Sequence, residues 1–210
     1  MILSDTPKIQ AFNIDCMEFM KDKPDNYYDL AIVDPPYGIG AGTMTMGSGK
    51  HIFKNGDWDS ATPNRHYFEE LFRVSSNQIV WGGNYFTEYL GISRHWLMWD
   101  KLNPNLSFAE GELAWVRNGD NLRIFKKYSA QVEYGGKIHP TQKPTDLYRW
   151  ILNRYAKEGD KILDTHGGSF SSAIACHMEG FDLDICELDE DYFNDAVKRF
   201  KLNTIQEKLF

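Results

Sequence analysis

Asp34-Pro35-Pro36-Tyr37 puts a carboxylate, a backbone carbonyl that no sheet ladder can use and an aromatic ring into one rigid step of chain. The step follows Leu30-Ala31-Ile32-Val33, an apolar, β-branched run that reads as a buried strand. Neither proline can donate to a ladder and each fixes its own φ, so the strand stops at Asp34. In open α/β sheets the carboxyl ends of the strands are where ligands bind. A strand end with a Pro-Pro turn and a packed tyrosine accounts for the same four residues, so the motif needs support from the rest of the chain.

That support is a set of further acids at strand ends. Lys8 to Ile14 reads as a strand ending at Asp15-Cys16, and two consecutive strands ending in Asp point two carboxylates at one rim of a parallel sheet. Toward the carboxyl terminus, Lys161-Ile162-Leu163-Asp164 is followed by the glycine turn Thr165-His166-Gly167-Gly168-Ser169. A helix from about Ser171 to Glu179 and the strand Leu183-Asp184-Ile185-Cys186-Glu187 come next. Strand, glycine turn, helix and a strand ending in an acid make a βαβ nucleoside-binding unit. Glu187 lies 187 − 164 = 23 residues beyond Asp164, near the offset of about 20 at which such units present a carboxylate to a ribose. A ribose diol offers two donors, and a carboxylate accepts both. The full G-x-G-x-x-G is absent, which disfavours a dinucleotide with its pyrophosphate.

The elements between these points are legible in outline. Asn64 caps a helix with Tyr67, Phe68, Leu71 and Phe72 at helical spacing. Gln78–Trp81, Trp96–Asp100 and Gly111–Arg117 read as strands, and Leu122–Phe125 is expected to pair with the last of these. His139-Pro140-Thr141-Gln142-Lys143-Pro144 leads into a helix carrying Leu147, Trp150, Ile151 and Tyr155. A last amphipathic helix carries Tyr192, Phe193, Ala196, Val197 and Phe200. Residues 38–63 hold six glycines and little periodicity; directly after Tyr37, that stretch is expected to be a mobile substrate loop.

The chain has 210 residues, 42% of them hydrophobic, which suits one globular domain over residues 1–210. Three cysteines without framework spacing fit reduced thiols in a cytoplasmic setting and neither a disulfide scaffold nor a metal site. The first residues lack the pattern of a signal peptide, and no apolar run is long enough to cross a bilayer, so no membrane association is expected. A net charge of −7 is the wrong sign for gripping nucleic acid by bulk electrostatics, although basic residues cluster at Arg123, Lys126, Lys127 and Lys137.

Taken together, Asp15-Cys16, Asp34-Pro35-Pro36-Tyr37, His139-Pro140-Thr141-Gln142-Lys143-Pro144 and Asp164 with Glu187 resemble the DNA amino-methyltransferases. With the Asp34 segment first and the glycine turn last, the order resembles their circularly permuted β class, including phage and prophage adenine-N6 enzymes. The resemblance implies a Rossmann-like α/β methyltransferase fold, with a seven-stranded, mostly parallel sheet and helices on both faces. It implies S-adenosylmethionine as methyl donor and double-stranded DNA, with a flipped-out target base, as partner; it allows a homodimer that no stretch demands. Asp34 and the Pro35 carbonyl would accept the target amine, with Pro36 holding the turn and Tyr37 stacking on the base. Around the cofactor it implies Asp15, Cys16, Asp34, Asp164, Gly168 and Ser169, with Glu187 on the ribose and Leu188 on adenine. Thr141 and Lys143 would reach the methionine carboxylate, unless they simply cap the helix that follows. Asp in place of the Ser of S-P-P-Y favours adenine N6 over cytosine N4. RNA, a protein amide, or a non-catalytic binding role are the rival readings. Two departures stand out. His166 and Phe170 replace the Phe and Gly of the family's D-P-F-x-G-S-G-T-T turn, and the Phe170 ring is expected to press on the cofactor site or force the turn open. The target-recognition region is reduced to residues 118–138.

Overall fold

The computed structural model describes residues 1–41, 59–104, 109–128 and 136–205. In chain order these form β1 (Ile2–Asp5), β2 (Lys8–Asn13), α1 (Cys16–Lys21), β3 (Tyr28–Val33), α2 (Arg65–Val74), β4 (Ser75–Trp81) and α3 (Thr87–Leu90). There follow β5 (Trp96–Asp100), β6 (Gly111–Val116), β7 (Arg123–Lys126), α4 (Thr145–Tyr155), β8 (Lys161–Asp164), α5 (Ser171–Glu179), β9 (Asp182–Glu187) and α6 (Glu190–Ile205).

The strands join one sheet in the order β1-β2-β9-β8-β3-β4-β6-β5-β7. The seven expected strands are its centre, β2 to β5, with β6 antiparallel to both neighbours. Two edge strands extend it to nine among the described residues. β1, which lies outside every run read as a strand, pairs antiparallel with β2. The segment around Leu122–Phe125 forms β7, but it pairs in parallel with β5 and not with the Gly111–Arg117 strand. The reason is geometric: β6 already has β4 on one side and β5 on the other, so only the outer edge of β5 is left to accept a strand.

Alternation along the strands builds a core on each face. Leu30 and Ile32 face one cluster, where α4, α5 and α6 contribute Leu147, Ile151, Ile174, Phe193 and Phe200. Ala31 and Val33 face the other, where α1, α2 and α3 contribute Phe19, Met20, Phe68, Leu71 and Leu90. Buried on both faces, β3 and β8 read as continuous apolar runs, as parallel strands under two helical layers must. Crossovers from β8 and from β3 travel in opposite directions along the sheet, so the switch point of the topology falls between these two strands.

Cys16, Cys176 and Cys186 are free thiols, and no helix among the described residues is long and apolar enough to cross a membrane. Most of the substrate loop expected at 38–63, and residues 129–135 of the 118–138 region, lie outside the described residues.

Candidate active site

The adjacent parallel strands β2, β9, β8 and β3 end, in that order, at or just before Asp15, Glu187, Asp164 and Asp34. Four acids separated by up to 172 positions in sequence therefore line one rim. At the usual inter-strand spacing the row is about 14 Å long, the scale of one extended nucleoside bearing an amino-acid tail.

These acids are not equivalent. Asp15 caps α1, one oxygen accepting from the Met17 amide at 2.7 Å. Glu187 accepts from the Gly168 amide at 2.7 Å and the Asp189 amide at 2.9 Å. Burial raises its pKa, and those two amides oppose the shift. Because a carboxylate accepts about four hydrogen bonds, capacity for a diol remains. Beside it Leu188 is 68% exposed, an apolar side chain offered to the rim. Asp164 turns inward, accepting from the Ser172 hydroxyl at 2.5 Å and the His166 amide at 3.0 Å. Burial pushes its pKa up to about 7 against those bonds.

The glycine turn is tied down from several sides. The Gly167 amide donates to the Cys186 carbonyl at 2.7 Å, and Gly168 adopts a φ of +50° beside the His139 ring. Phe170, expected to crowd the cofactor, instead points into the core: it is fully buried and meets Phe193 edge-on at 5.8 Å. It reaches that position by a left-handed backbone, φ +58°. The inward ring also explains Gly167, where a Cβ would lie 2.6 Å from Phe170. His166 bonds Thr165 Oγ1 through Nδ1 at 2.8 Å, Thr165 bonds Tyr67 at 2.7 Å, and burial lowers the His166 pKa to about 4. Ser169, buried, presents its carbonyl to Arg199 at 2.7 Å.

At the other end, Asp34 Oδ1 accepts from the Tyr37 hydroxyl at 2.6 Å and Oδ2 from Lys143 Nζ at 2.5 Å. Burial raises the Asp34 pKa against the pull of Lys143. Lys143 also lies 3.0 Å from Glu112, whose other oxygen meets Lys101 at 2.7 Å. Burial works against both charges here, but partners outweigh it: Lys143 lies above the ordinary lysine range, and the two ammonium groups hold Glu112 down at about 2. Tyr37 stacks on Tyr85 with centroids 5.1 Å apart, and Gly82 passes so close that a Cβ there would lie 2.2 Å from the Tyr37 ring. Behind it Asp59, 2% exposed, accepts from the amides of Tyr37, Gly38 and Ala41 at 2.6, 2.9 and 2.8 Å.

The structure thus brings Asp15, Asp34, Tyr37, Asp164, Gly168, Ser169, Glu187 and Leu188 to one rim. Cys16 opens α1 there, its thiol pushed up to about 12 by burial and by Asp15. Thr141 and Lys143 do not cap the next helix: the cap of α4 is Pro144, without a side-chain bond. Thr141 shares a hydrogen bond with His139 at 3.1 Å, whereas Lys143 reaches Asp34. Sequence reasoning passed over Glu112 and Asp59. Glu112 starts an antiparallel strand, so its beginning lies where the parallel strands end. An acid at the start of a strand gives no such signal until the strand's direction is known. Asp59 lies 22 positions after Tyr37, with no local pattern.

Residues 92–198 match the protein family described as DNA methylase. The chain is 24% identical over 241 aligned residues to the type II methyltransferase M2.DpnII of Streptococcus pneumoniae, covering 92% of this chain and 90% of that protein. It is 23% identical to the type II methyltransferase M.HpaI of Haemophilus parainfluenzae, covering 86% and 70%. Among solved structures, the M1.HpyAVI–SAM complex superposes with a TM-score of 0.65 at 21% identity, over 91% of this chain and 99% of that one. The cytosine-N4-specific PvuII DNA methyltransferase superposes with a TM-score of 0.65 at 12% identity, over 97% and 90%. At these identities the likeness establishes a shared fold.

Proposed function

The chain belongs to the DNA methylase family, and from that premise we propose that it transfers the methyl group of S-adenosylmethionine to the exocyclic N6 of an adenine flipped out of double-stranded DNA. The observation that carries this reading is the row of acids on four adjacent strands, closed at one end by Asp34 and Tyr37. The chain order, with the strand of Asp34 before the strand of the glycine turn, supports the circularly permuted β class.

The donor end fits the residues present. Glu187 keeps acceptor capacity for ribose hydroxyls, exposed Leu188 offers an apolar face to adenine, and Asp15 serves its amino group. Gly168 and Ser169 would form the turn under the methionine portion, with Asp164 holding that turn from beneath; Thr141 would reach the methionine carboxylate, and Cys16 would lie beside the cofactor. When bound, the sulfonium supplies an already activated methyl group, so the chain has only to place and desolvate the acceptor.

At the acceptor end, Asp34 and the Pro35 carbonyl take the two N–H donors of an exocyclic amine, which directs the nitrogen lone pair toward the donor end. Asp34 has no need to be a strong base, because the nitrogen becomes acidic only after attack. Tyr37 supplies a stacking face for a base that has left the duplex, as it must, since its amine is paired inside. An aspartate in place of serine ahead of Pro-Pro-Tyr favours adenine over cytosine.

The test incubates the protein with labelled S-adenosylmethionine and unmethylated DNA, then digests to nucleosides. N6-methyladenine that disappears with Asp34→Ala is the expected result. Label in N4-methylcytosine reassigns the base, label in RNA or protein reassigns the substrate, and cofactor binding without transfer overturns the enzymatic reading.

A further inference from the structure

The acceptor end holds more charge than a methyl transfer requires. Lys143, 3% exposed, touches Asp34 Oδ2 at 2.5 Å, Glu112 Oε2 at 3.0 Å and the Tyr37 hydroxyl at 3.2 Å. Lys101 completes the group on Glu112 at 2.7 Å. Two carboxylates and two ammonium groups thus form a partly buried cluster with Lys143 at its centre, and the Lys137 ammonium is near enough to act on Lys101 and Glu112. Asp34, the acceptor for a target amine, already has an internal donor on each oxygen.

A base amine is a neutral donor, and an ammonium makes the stronger hydrogen bond to a carboxylate. In direct competition for Oδ2 the base loses. Removing Lys143 from Asp34 without a second partner would also strand a buried charge, which is costly. Glu112 removes that obstacle, since it already sits 3.0 Å from the same Nζ. We propose that Glu112 is a positioning residue for target-base capture: it takes over the Lys143 ammonium as the base arrives, frees Asp34 Oδ2 for the exocyclic amine, and returns the lysine when the product leaves. Lys143 is then an internal stand-in for the target amine. This inference rests on the methyltransfer reading.

The test uses the full chain and a duplex bearing the site mapped with wild-type enzyme, with the target adenine kept and 2-aminopurine as its neighbour, so that flipping the adenine unstacks the fluorescent base. Glu112→Gln is expected to raise KM for DNA and to lower the flipped-base fluorescence by at least about tenfold, at cofactor affinity within about twofold of wild type. Glu112→Asp should recover part of the loss. Glu112→Gln combined with Lys143→Met should flip the base better than Glu112→Gln alone at matched melting temperature, because the lysine locked on Asp34 has gone; a merely structural ion pair would change flipping only in step with the melting temperature, since partners in one network couple through stability. The double variant also decides the matter if Glu112→Gln folds poorly. Wild-type KM and fluorescence in Glu112→Gln overturn the proposal, as does a double variant worse than the single. Wild-type enzyme that transfers no methyl group to DNA overturns the functional reading instead.

Discussion

Replacing Phe170 with the glycine usual in the family isolates the physics of the altered turn. Phe170 holds a left-handed backbone, φ +58°, which disfavours a β-carbon-bearing residue by roughly 1–2 kcal/mol, and glycine relieves that. Against this, its ring is fully buried and meets Phe193 at 5.8 Å; truncating a buried phenylalanine costs about 3–5 kcal/mol. The burial term wins, and Phe170→Gly should lose about 1–4 kcal/mol. For a chain of this length each kcal/mol moves the midpoint about 2–4 °C, so the central expectation is a drop of about 5–10 °C. The Kd for S-adenosylmethionine should stay within about twofold, because the ring faces the core and not the rim. Calorimetry with and without cofactor, plus a binding titration, checks both halves. An unchanged melting point with tighter cofactor binding would show that the ring lines the cofactor site and refute the reasoning.

Other perturbations test the remaining supports. Asp164 in the folded chain keeps its proton up to about pH 7, whereas an unfolded aspartate releases it near 4. The folded state therefore binds more protons between these values, and stability falls as pH rises through that window. His139 and His166, lowered by burial to about 3 and about 4, act in the opposite sense below about pH 6.5. The difference between Asp164→Asn and wild type cancels them: denaturant titrations should show the variant gaining on wild type from pH 5 to pH 7, and a flat difference would contradict the assignment. Asp59→Ala orphans three amides that position Tyr37, at about 1–3 kcal/mol for each one left unsatisfied; kcat/KM for DNA should fall at least about tenfold with cofactor affinity unchanged, and Asp59→Asn should lie between. Gly82→Ala drives a methyl group into the Tyr37 ring, and a displacement of that order should cost about 100-fold in methyl transfer. Gly180→Ala, left-handed like Gly82 (φ +82°) and with open space around it, is the control expected to keep full activity.

The parallel core was readable because its strands carry their own punctuation. Prolines stop β3, a glycine turn follows β8, and an acid ends β9, each a local signal of where a strand stops and which end faces ligand. β1 and β7 had no such marks. Ile2–Asp5 and Arg123–Lys126 are short edge strands with mostly exposed side chains, so their pairing depends on which edge the finished sheet leaves open. That is a tertiary property, which local sequence does not carry, so the observed partner of β7 is β5 and not the expected Gly111–Arg117 strand.

The site divides along the same line. Asp15, Asp34, Asp164 and Glu187 were legible as acids at strand ends, but their division of labour was not, because it depends on hydrogen bonds made across the sheet. Asp164 is consumed by Ser172 and the His166 amide, Asp15 is half consumed by a helix cap, and Glu187 by two backbone amides. Asp34 alone of the four is satisfied entirely by side chains, Tyr37 and Lys143. Side chains can rotate away without unfolding a turn, whereas the amides that hold the other three belong to the fold itself. Exchangeable partners are what a carboxylate needs if it is to receive and release a substrate amine at each turnover, and this sets Asp34 apart from the structural acids beside it.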